Sequence, residues 1–148
     1  MGVLRTLTRL VRPGGIVAFQ EQSWTPFVHL SAHVPLWSAG VNLLHEISRR
    51  AGVNMEMGVA LHRAFQEAGL PIPKKRLAME LGHDPDFTSW VSDVISTLAP
   101  QAAEMGISLS RLGPLDTLAE RLQAEVAESN TVVPWLALVG AWCRLPAR

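Results

Sequence analysis

Polar and aromatic side chains follow directly after a short apolar run near the start of the chain. Glu21, Gln22 and Trp24 come after Ile16-Val17-Ala18-Phe19, and polarity returns at Gln20. In open α/β sheets, ligands bind beyond the carboxyl ends of parallel strands, so Glu21, Gln22 and Trp24 are candidates for binding a small-molecule substrate. Structural roles stay open for two of them, because Glu21 can cap the segment that follows and Trp24 can fill the core.

The residues that follow hold the richest group of aromatic and imidazole side chains in the sequence. This group consists of Trp24, Phe27, His29, His33 and Trp37. Its aromatic rings suit the wall of a substrate pocket, and His29 or His33 is a candidate general base because an imidazole titrates near neutral pH. The alternative is that this Trp-rich segment packs on the helix that follows it.

No metal site is expected at these histidines. His29 and His33 are four residues apart, but Pro35 and the lack of a helical period around His29 argue against a preformed pair of ligands. The prolines and the missing period also predict a loop or an irregular lid over residues 22–37. The sequence shows no Ser/His/Asp or Cys/His set with a supporting context.

The apolar run itself is predicted to be a buried β-strand that is reached through a sharp turn. Apolar residues at helical spacing predict a short helix over residues 3–11, and Pro13 should end it at Arg12. Gly14 and Gly15 then turn the chain. Because Ile16-Val17-Ala18-Phe19 is apolar on both sides, we expect a strand covered on both faces of its sheet.

Apolar residues recur at helical spacing in four later segments. These segments are Ser38 to Ala51, Asn54 to Ala68, Asp84 or Asp86 to Leu98, and Pro114 to Val126. Each begins at a residue that is typical of a helix start. Pro100 either breaks the third helix or begins another one that ends at Gly106.

Two further strands are predicted in the second half of the chain. Lys75 to Leu81 alternates between apolar and polar residues and is preceded by prolines, which indicates a half-exposed edge strand. Val132 to Cys143 is apolar on both faces, which indicates a central strand, although a buried helix has the same pattern.

Length and composition predict a single domain over residues 1–148. The chain is 48% hydrophobic and 18% charged, which is more apolar than average and indicates surface that meets a partner or a missing half. Its formal net charge is zero, so we expect neither nucleic acid nor a membrane surface as a partner. The single Cys143 lies in an apolar run and indicates a reducing, cytoplasmic location.

The turn and the strand that follows it resemble a known family. Leu10-Val11-Arg12-Pro13-Gly14-Gly15, then Ile16-Val17-Ala18-Phe19-Gln20-Glu21 with Trp24 shortly after, resembles the fifth strand and its preceding turn in class I S-adenosylmethionine-dependent methyltransferases. In that family a strand corresponding to Leu136–Trp142 runs antiparallel between the fifth strand and an edge strand like Arg76–Leu81. The resemblance is strong over residues 4–24 and rests on element order after that.

The resemblance implies an α/β protein with a partial Rossmann-like methyltransferase fold. It would have about three strands, namely one parallel-type strand, an antiparallel central strand and an edge strand, with helices on the faces. Its implied chemistry is methyl transfer from S-adenosylmethionine to a small-molecule acceptor, with Glu21, Gln22 and Trp24 near the acceptor.

The resemblance also implies that the chain begins in the middle of that fold, after the parts that hold the methyl donor. This chain alone is therefore not expected to bind S-adenosylmethionine, and it is expected to be incomplete or inactive without a separate N-terminal half. A truncated reading frame is another explanation. The alternative function is a non-catalytic binding module that self-associates, for example as a dimer, or docks a partner through the exposed edge of the strand at Ile16–Phe19.

Overall fold

A computed structural model of the chain describes residues 2–147. Within that range the fold is mixed α/β with six α-helices, α1 to α6: Gly2–Thr8, Trp24–Leu30, Pro35–Arg50, Met57–Glu67, Pro85–Glu104 and Leu118–Glu128. Five strands, β1 to β5, are Ile16–Ser23, Lys74–Ala78, Leu81–Gly82, Val133–Pro134 and Ala137–Arg144. A short 3₁₀ helix covers Ser110–Leu112.

The residues group into two compact units. The first unit comprises the described parts of Met1–Ser23, Glu56–Ala78 and Ala137–Arg148, and the second comprises Trp24–Met55 and Met79–Leu136. The expectation of a single domain over residues 1–148 stays a prediction.

The first unit contains a three-stranded sheet in the order β1-β5-β2. Strand β5 is antiparallel to both neighbours, with Val17 opposite Cys143 and Arg76 opposite Gly140. Strands β1 and β2 therefore run in the same direction on either side of β5. The central place of β5 and the edge place of β2 agree with the sequence analysis. The strand predicted as parallel-type is paired differently, because β1 has only an antiparallel neighbour among residues 2–147.

Helix α4 covers one face of this sheet. Its Leu61 and Phe65 are buried with Val17, Ala141 and Cys143. Phe65 also meets Phe19 edge to face, with 6.1 Å between the ring centroids. These contacts bury the odd-numbered side chains of β1 and β5, as the alternation of a strand requires.

The prediction that residues 16–19 are covered on both faces is wrong. Ile16 is 56% exposed and Ala18 is exposed, whereas Val17 between them is buried. Strand β5 alternates in the same way, because Leu138 and Trp142 are exposed. Among the described residues of the first unit, α4 covers only one face of this sheet, so an apolar sequence on both sides of a strand does not by itself show that both sides are buried.

Strand β1 is also longer than its apolar run. It continues to Ser23, and its polar residues Glu21 and Gln22 pair with Val139 and Leu138 of β5. They lie within the strand and not beyond its end. Backbone hydrogen bonding to a long partner extends the strand regardless of side-chain polarity.

The second unit is built mainly from helices. Helices α3, α5 and α6 pack on one another, and α2 packs on α3. Strands β3 and β4 form a short antiparallel pair, with Gly82 opposite Val133. The largest fully buried side chains of this unit include Phe27, Trp37, Leu44, Ile95, Leu118 and Leu122.

The loop or lid predicted for residues 22–37 is wrong. Residues Trp24–Leu30 form α2, and α3 begins at Pro35. A proline in the first turn of a helix removes an N–H group that has no intrahelical partner, so neither Pro26 nor Pro35 breaks its helix. Burial of Trp24 and Phe27 then favours the helical arrangement over a loop.

Several predicted boundaries also differ. Helix α5 runs through Pro100 to Glu104, and the fully buried Ala102 packs its last turn in place. The helices predicted from Asn54 and Pro114 begin at Met57 and Leu118, the first helix ends at Thr8, and α3 begins before Ser38. The predicted edge strand ends at Ala78, and all five of its residues are exposed; Leu81 pairs with Pro134 instead. The predicted strand over Val132 to Cys143 is interrupted between β4 and β5.

None of the helices within residues 2–147 combines the length and the apolar character that crossing a bilayer requires.

Candidate functional site

The outer edge of β1 carries unpaired backbone groups. Leu145 N donates to Gly15 O at 2.8 Å, so the odd-numbered residues of β1 exchange hydrogen bonds with β5. The N–H and C=O groups of the even-numbered residues, such as Ile16 and Ala18, therefore point away from β5. No strand within residues 2–147 pairs with them. Such an edge is a template for pairing with another strand.

The even-numbered side chains lie on the face of the sheet that α4 does not cover. A shallow depression of about 480 Å³ on this face is lined by all three strands of the sheet. Ile16 and Ala18 come from β1, Leu138 and Trp142 come from β5, and Arg76 supplies a basic margin from β2. This face, which we call the open face, joins the unpaired edge to form one continuous candidate interaction surface.

The carboxyl end of β1 is tied to the start of α4. The hydroxyl of Ser23, which is 1% exposed, donates a hydrogen bond to the carboxylate of Glu56. Glu56 is the residue before α4, and a Cβ on Gly58 would lie 2.9 Å from the backbone oxygen of Glu21. The polar groups in this region therefore position the helix on the sheet. Sequence reasoning missed Ser23 and Glu56; the available signal was an acidic residue just before an amphipathic helix.

The structure separates the candidate substrate residues Glu21 and Gln22. They are neighbours in β1, so their side chains point to opposite faces of the sheet. Glu21 shares the face of Val17 and Phe19, and Gln22 shares the open face with Ala18. Both are half-buried.

The aromatic members of the predicted site lie together in the core of the second unit. Trp24 is 5% exposed, and Phe27 and Trp37 are 0% exposed. The rings of Trp24 and Phe27 are 5.7 Å apart, and Trp37 lies 6.3 Å from Trp90. This is the packing that the alternative for the Trp-rich segment described. A substrate pocket lined by these three residues stays a prediction.

Two further tryptophans, which sequence reasoning did not single out, complete this aromatic group. Trp90 lies 5.6 Å from Phe27 and 4.5 Å from Trp135. The indole N–H groups of Trp37 and Trp90 are buried and donate to no residue among 2–147. Trp90 lies within the helix predicted from Asp84 or Asp86 to Leu98, and the apolar period of that helix was the signal available for it.

The candidate bases His29 and His33 lie on the surface. Both are exposed, and His33 Nε2 is 3.1 Å from Thr131 Oγ1. The imidazole of His45 does lie beside one of the predicted aromatic residues, because the ring centroids of His45 and Trp24 are 5.9 Å apart. A general-base role for His29 or His33 stays a prediction. No group of three histidine, cysteine or carboxylate side chains suited to a metal ion occurs within residues 2–147.

The sequence was also compared with known proteins. No protein-family model matches it, and no curated protein sequence matches it.

Proposed function

We propose that this chain is the acceptor-side part of a class I methyltransferase-like fold. In this proposal, methyl transfer from S-adenosylmethionine to a small molecule takes place when another polypeptide segment supplies the donor-binding strands. The observation that carries the proposal is the strand order β1-β5-β2, with β5 antiparallel to both neighbours. That order and those directions are what the resemblance of residues 4–24 implied for strands about 120 residues apart in the chain.

The turn into β1 supports the proposal. Gly14 has φ of 72°, which favours glycine, and a Cβ on Gly15 would lie 2.5 Å from Val11 Cγ1. Arg144 Nη1 donates to Gly14 O at 2.6 Å and ties the turn to the end of β5. The backbone conformation therefore explains Gly14, and the close packing explains Gly15. The Pro-Gly-Gly turn serves to start the strand.

The same turn does not fit the methyl donor. The space beside Gly15 is already filled by Val11 and by the backbone oxygen of Arg12, 2.8 Å from where a Cβ would be. The adenosyl part of the donor needs a glycine-rich turn whose backbone it can approach closely, and Gly14-Gly15 offers no such approach. The proposal therefore assigns no donor-binding residue to this chain.

A cytoplasmic location is a separate part of the proposal.

The unpaired edge and the open face support the need for a second part. Ile16 is 56% exposed and Trp142 is 37% exposed, although both belong to a sheet. Burying apolar surface of this kind stabilises an assembly by roughly 25 cal/mol for each Å². Further strands beside β1 and helices over the open face would remove this surface from water.

The second candidate function is a non-catalytic module that self-associates or docks a partner through the edge of β1. Its specific support is the set of backbone groups at Ile16, Ala18, Gln20 and Gln22, which no strand within residues 2–147 pairs and which a strand from a partner can pair. This candidate needs no methyl donor.

The test uses a tagged chain that is expressed in the cells it comes from and purified with whatever it binds there. Calorimetry then measures S-adenosylmethionine binding by the isolated chain and by the purified assembly. The proposal expects binding by the assembly and none by the chain alone. A homodimer or a monomer that binds no S-adenosylmethionine overturns it, and the dimer favours the interaction module. Binding by the isolated chain overturns the missing-donor part of the proposal.

A second observation is independent of purification. Translation of the DNA upstream of Met1 should be searched for an in-frame strand, glycine-rich turn and helix. Such a segment would place the donor-binding strands in the same polypeptide.

A further inference from the structure

The second unit contains a cavity of about 620 Å³ between α3 and the segment that follows α5. Its lining includes the apolar side chains of Ala39, Leu43 and Leu112. Its polar lining includes Asn42, His45 and Ser108. Small-molecule sites in proteins have volumes of this order, and they combine apolar walls with a few polar groups.

The carboxylate of Glu46 in this cavity is already paired with two arginines. Glu46 accepts from Arg50 Nε at 2.6 Å and from Arg49 Nη2 at 3.3 Å. These hydrogen bonds hold the pKa of the Glu46 carboxyl below its ordinary value, so Glu46 is anionic at neutral pH. Two arginines for one carboxylate leave a surplus of positive charge on this side.

Arg50 is held in place by a second contact. Its Nη1 donates to the backbone oxygen of Met105, one residue beyond α5, at 3.0 Å. This bond links α3 to α5 at the margin of the cavity. The second terminal nitrogen of Arg50, Nη2, makes no hydrogen bond within residues 2–147, so it remains available to a ligand.

Arg111 adds a guanidinium from the 3₁₀ helix. It lines the cavity, its side chain is exposed, and it forms no hydrogen bond or ion pair with any residue among 2–147. A guanidinium presents several N–H donors in a planar arrangement that matches a carboxylate or a phosphate. The cavity thus combines apolar side chains with two guanidinium groups, each of which has N–H donors that are not used within residues 2–147.

We propose that this cavity binds a small organic anion. Its apolar body would lie against Ala39, Leu43 and Leu112, and its carboxylate or phosphate group would accept from Arg111 and Arg50. All of these residues belong to the second unit, so the proposal stands whether or not the chain takes part in methyl transfer.

Three naphthalene compounds and inorganic phosphate test this proposal on the full chain. 2-Naphthoate and 2-naphthyl phosphate carry the two anionic groups, 2-naphthylmethanol is a neutral compound with the same ring, and inorganic phosphate lacks the apolar body. Binding is measured by calorimetry, and its location is measured by amide chemical shifts in NMR. We expect at least one naphthalene anion to bind and to shift amides within 39–50 and 106–112. The neutral compound and inorganic phosphate should bind about tenfold more weakly or not at all.

Variants assign the anion to its partner. Arg111→Gln should weaken binding of the preferred anion at least about tenfold, because one charge-assisted pair is lost. Arg111→Lys should give an intermediate affinity because it keeps the charge and loses the planar fork. Arg9→Gln, an exposed arginine of the first unit, is the matched control and should bind as the parent does.

Three results would overturn the proposal: no shift in these two segments with either anion, equal affinity for the neutral compound, or full affinity in Arg111→Gln. Arg111 is exposed and forms no hydrogen bond or ion pair with the described residues, so its replacement should leave the fold intact. Circular dichroism checks this.

Discussion

The carboxylate of Glu125 accepts a hydrogen bond from the backbone N–H of Trp37, with 2.9 Å between Oε2 and N. Its other oxygen accepts from the N–H of Leu36 at 2.6 Å. Val34, the residue before α3, offers no side-chain cap, and Pro35 has no N–H group. A residue of α6 therefore caps α3, and its negative charge lies at the positive end of the α3 dipole.

Removal of this cap should destabilise the second unit. Glu125→Ala leaves two N–H groups without an acceptor, and we expect the free energy of unfolding to fall by about 2 kcal/mol. Glu125→Gln keeps one acceptor oxygen and should cost about half as much. Glu128→Ala, an exposed residue of the same helix, is the control and should change stability by no more than about 0.5 kcal/mol. Urea unfolding measures all three, and equal stability of Glu125→Ala and Glu128→Ala would rule out the cap.

Gly58 should be required for the packing of α4 on the sheet. A Cβ at this position would lie 2.8 Å from Val139 Cβ and 2.9 Å from Glu21 O. We expect Gly58→Ala to destabilise the chain by about 1 kcal/mol, because the cost of overpacking exceeds the gain in helix propensity. Gly140→Ala is the matched control, since its Cβ would meet only Arg76 O at 3.9 Å. Unfolding of the Gly58 variant at the same urea concentration as the parent, or at a higher one, would contradict the close approach of α4 to the sheet.

The unpaired edge of β1 should cause self-association when no partner is present. Sedimentation velocity over a range of concentrations should show a dimer that dissociates on dilution. Ala18→Lys places a charge beside the free backbone groups and should shift the equilibrium toward monomer about tenfold or more. Val59→Lys, at a 62% exposed position of α4, introduces the same charge away from the edge and should leave the association unchanged. A parent chain that stays monomeric at every concentration would contradict self-association through this edge.

The Cys143 thiol should react slowly in the folded chain. Burial raises the pKa of this thiol, because the thiolate loses solvation in the sheet. We expect iodoacetamide to label the folded chain at about pH 8.5 at least about tenfold more slowly than the urea-unfolded chain, where the thiol pKa is about 8.5. Equal labelling rates in the two states would show that the thiol is accessible.

The same pKa shift has a consequence for stability. Below the unfolded pKa of about 8.5 both states keep the proton and the thiol contributes no pH dependence. As the pH rises from there through the folded pKa, the unfolded state ionises first, so the folded state loses stability. Unfolding measured between neutral and alkaline pH should show this loss in the parent, and Cys143→Ala should lack that part of it.

Turns, the helix start at Asp84 and the strand order were predicted more accurately than the ends of the helices and strands. The Pro-Gly-Gly turn and the helix start at Asp84 are local features, and each of them occurs where the sequence indicated. The order of three strands in the first unit was predicted from the resemblance of one short stretch and agrees with the structure. The predicted ends of helices were less accurate. At Pro100, for example, the packing of Ala102 outweighs the local preference of proline, and the helix continues.

For the candidate site residues, the sequence likewise predicted a local grouping but not where the side chains lie in the fold. Residue types alone placed Trp24, Phe27, His29, His33 and Trp37 in one group. The tertiary structure sends the aromatic rings into the core and leaves the two imidazoles on the surface. The side chains of a helix point in all directions around its axis, so neighbours in sequence need not share a site.

By itself, the sequence determined where this chain turns, which segments are amphipathic and which run can start a sheet, because these depend on backbone sterics and on the period of apolar residues. Only the tertiary structure decided that α4 covers one face of the sheet and leaves the other open, that Glu125 caps a helix nearly 90 residues away, and that Arg50 and Arg111 line one cavity. Each of these relationships joins residues that are distant in the chain, and no local preference specifies which distant surfaces meet.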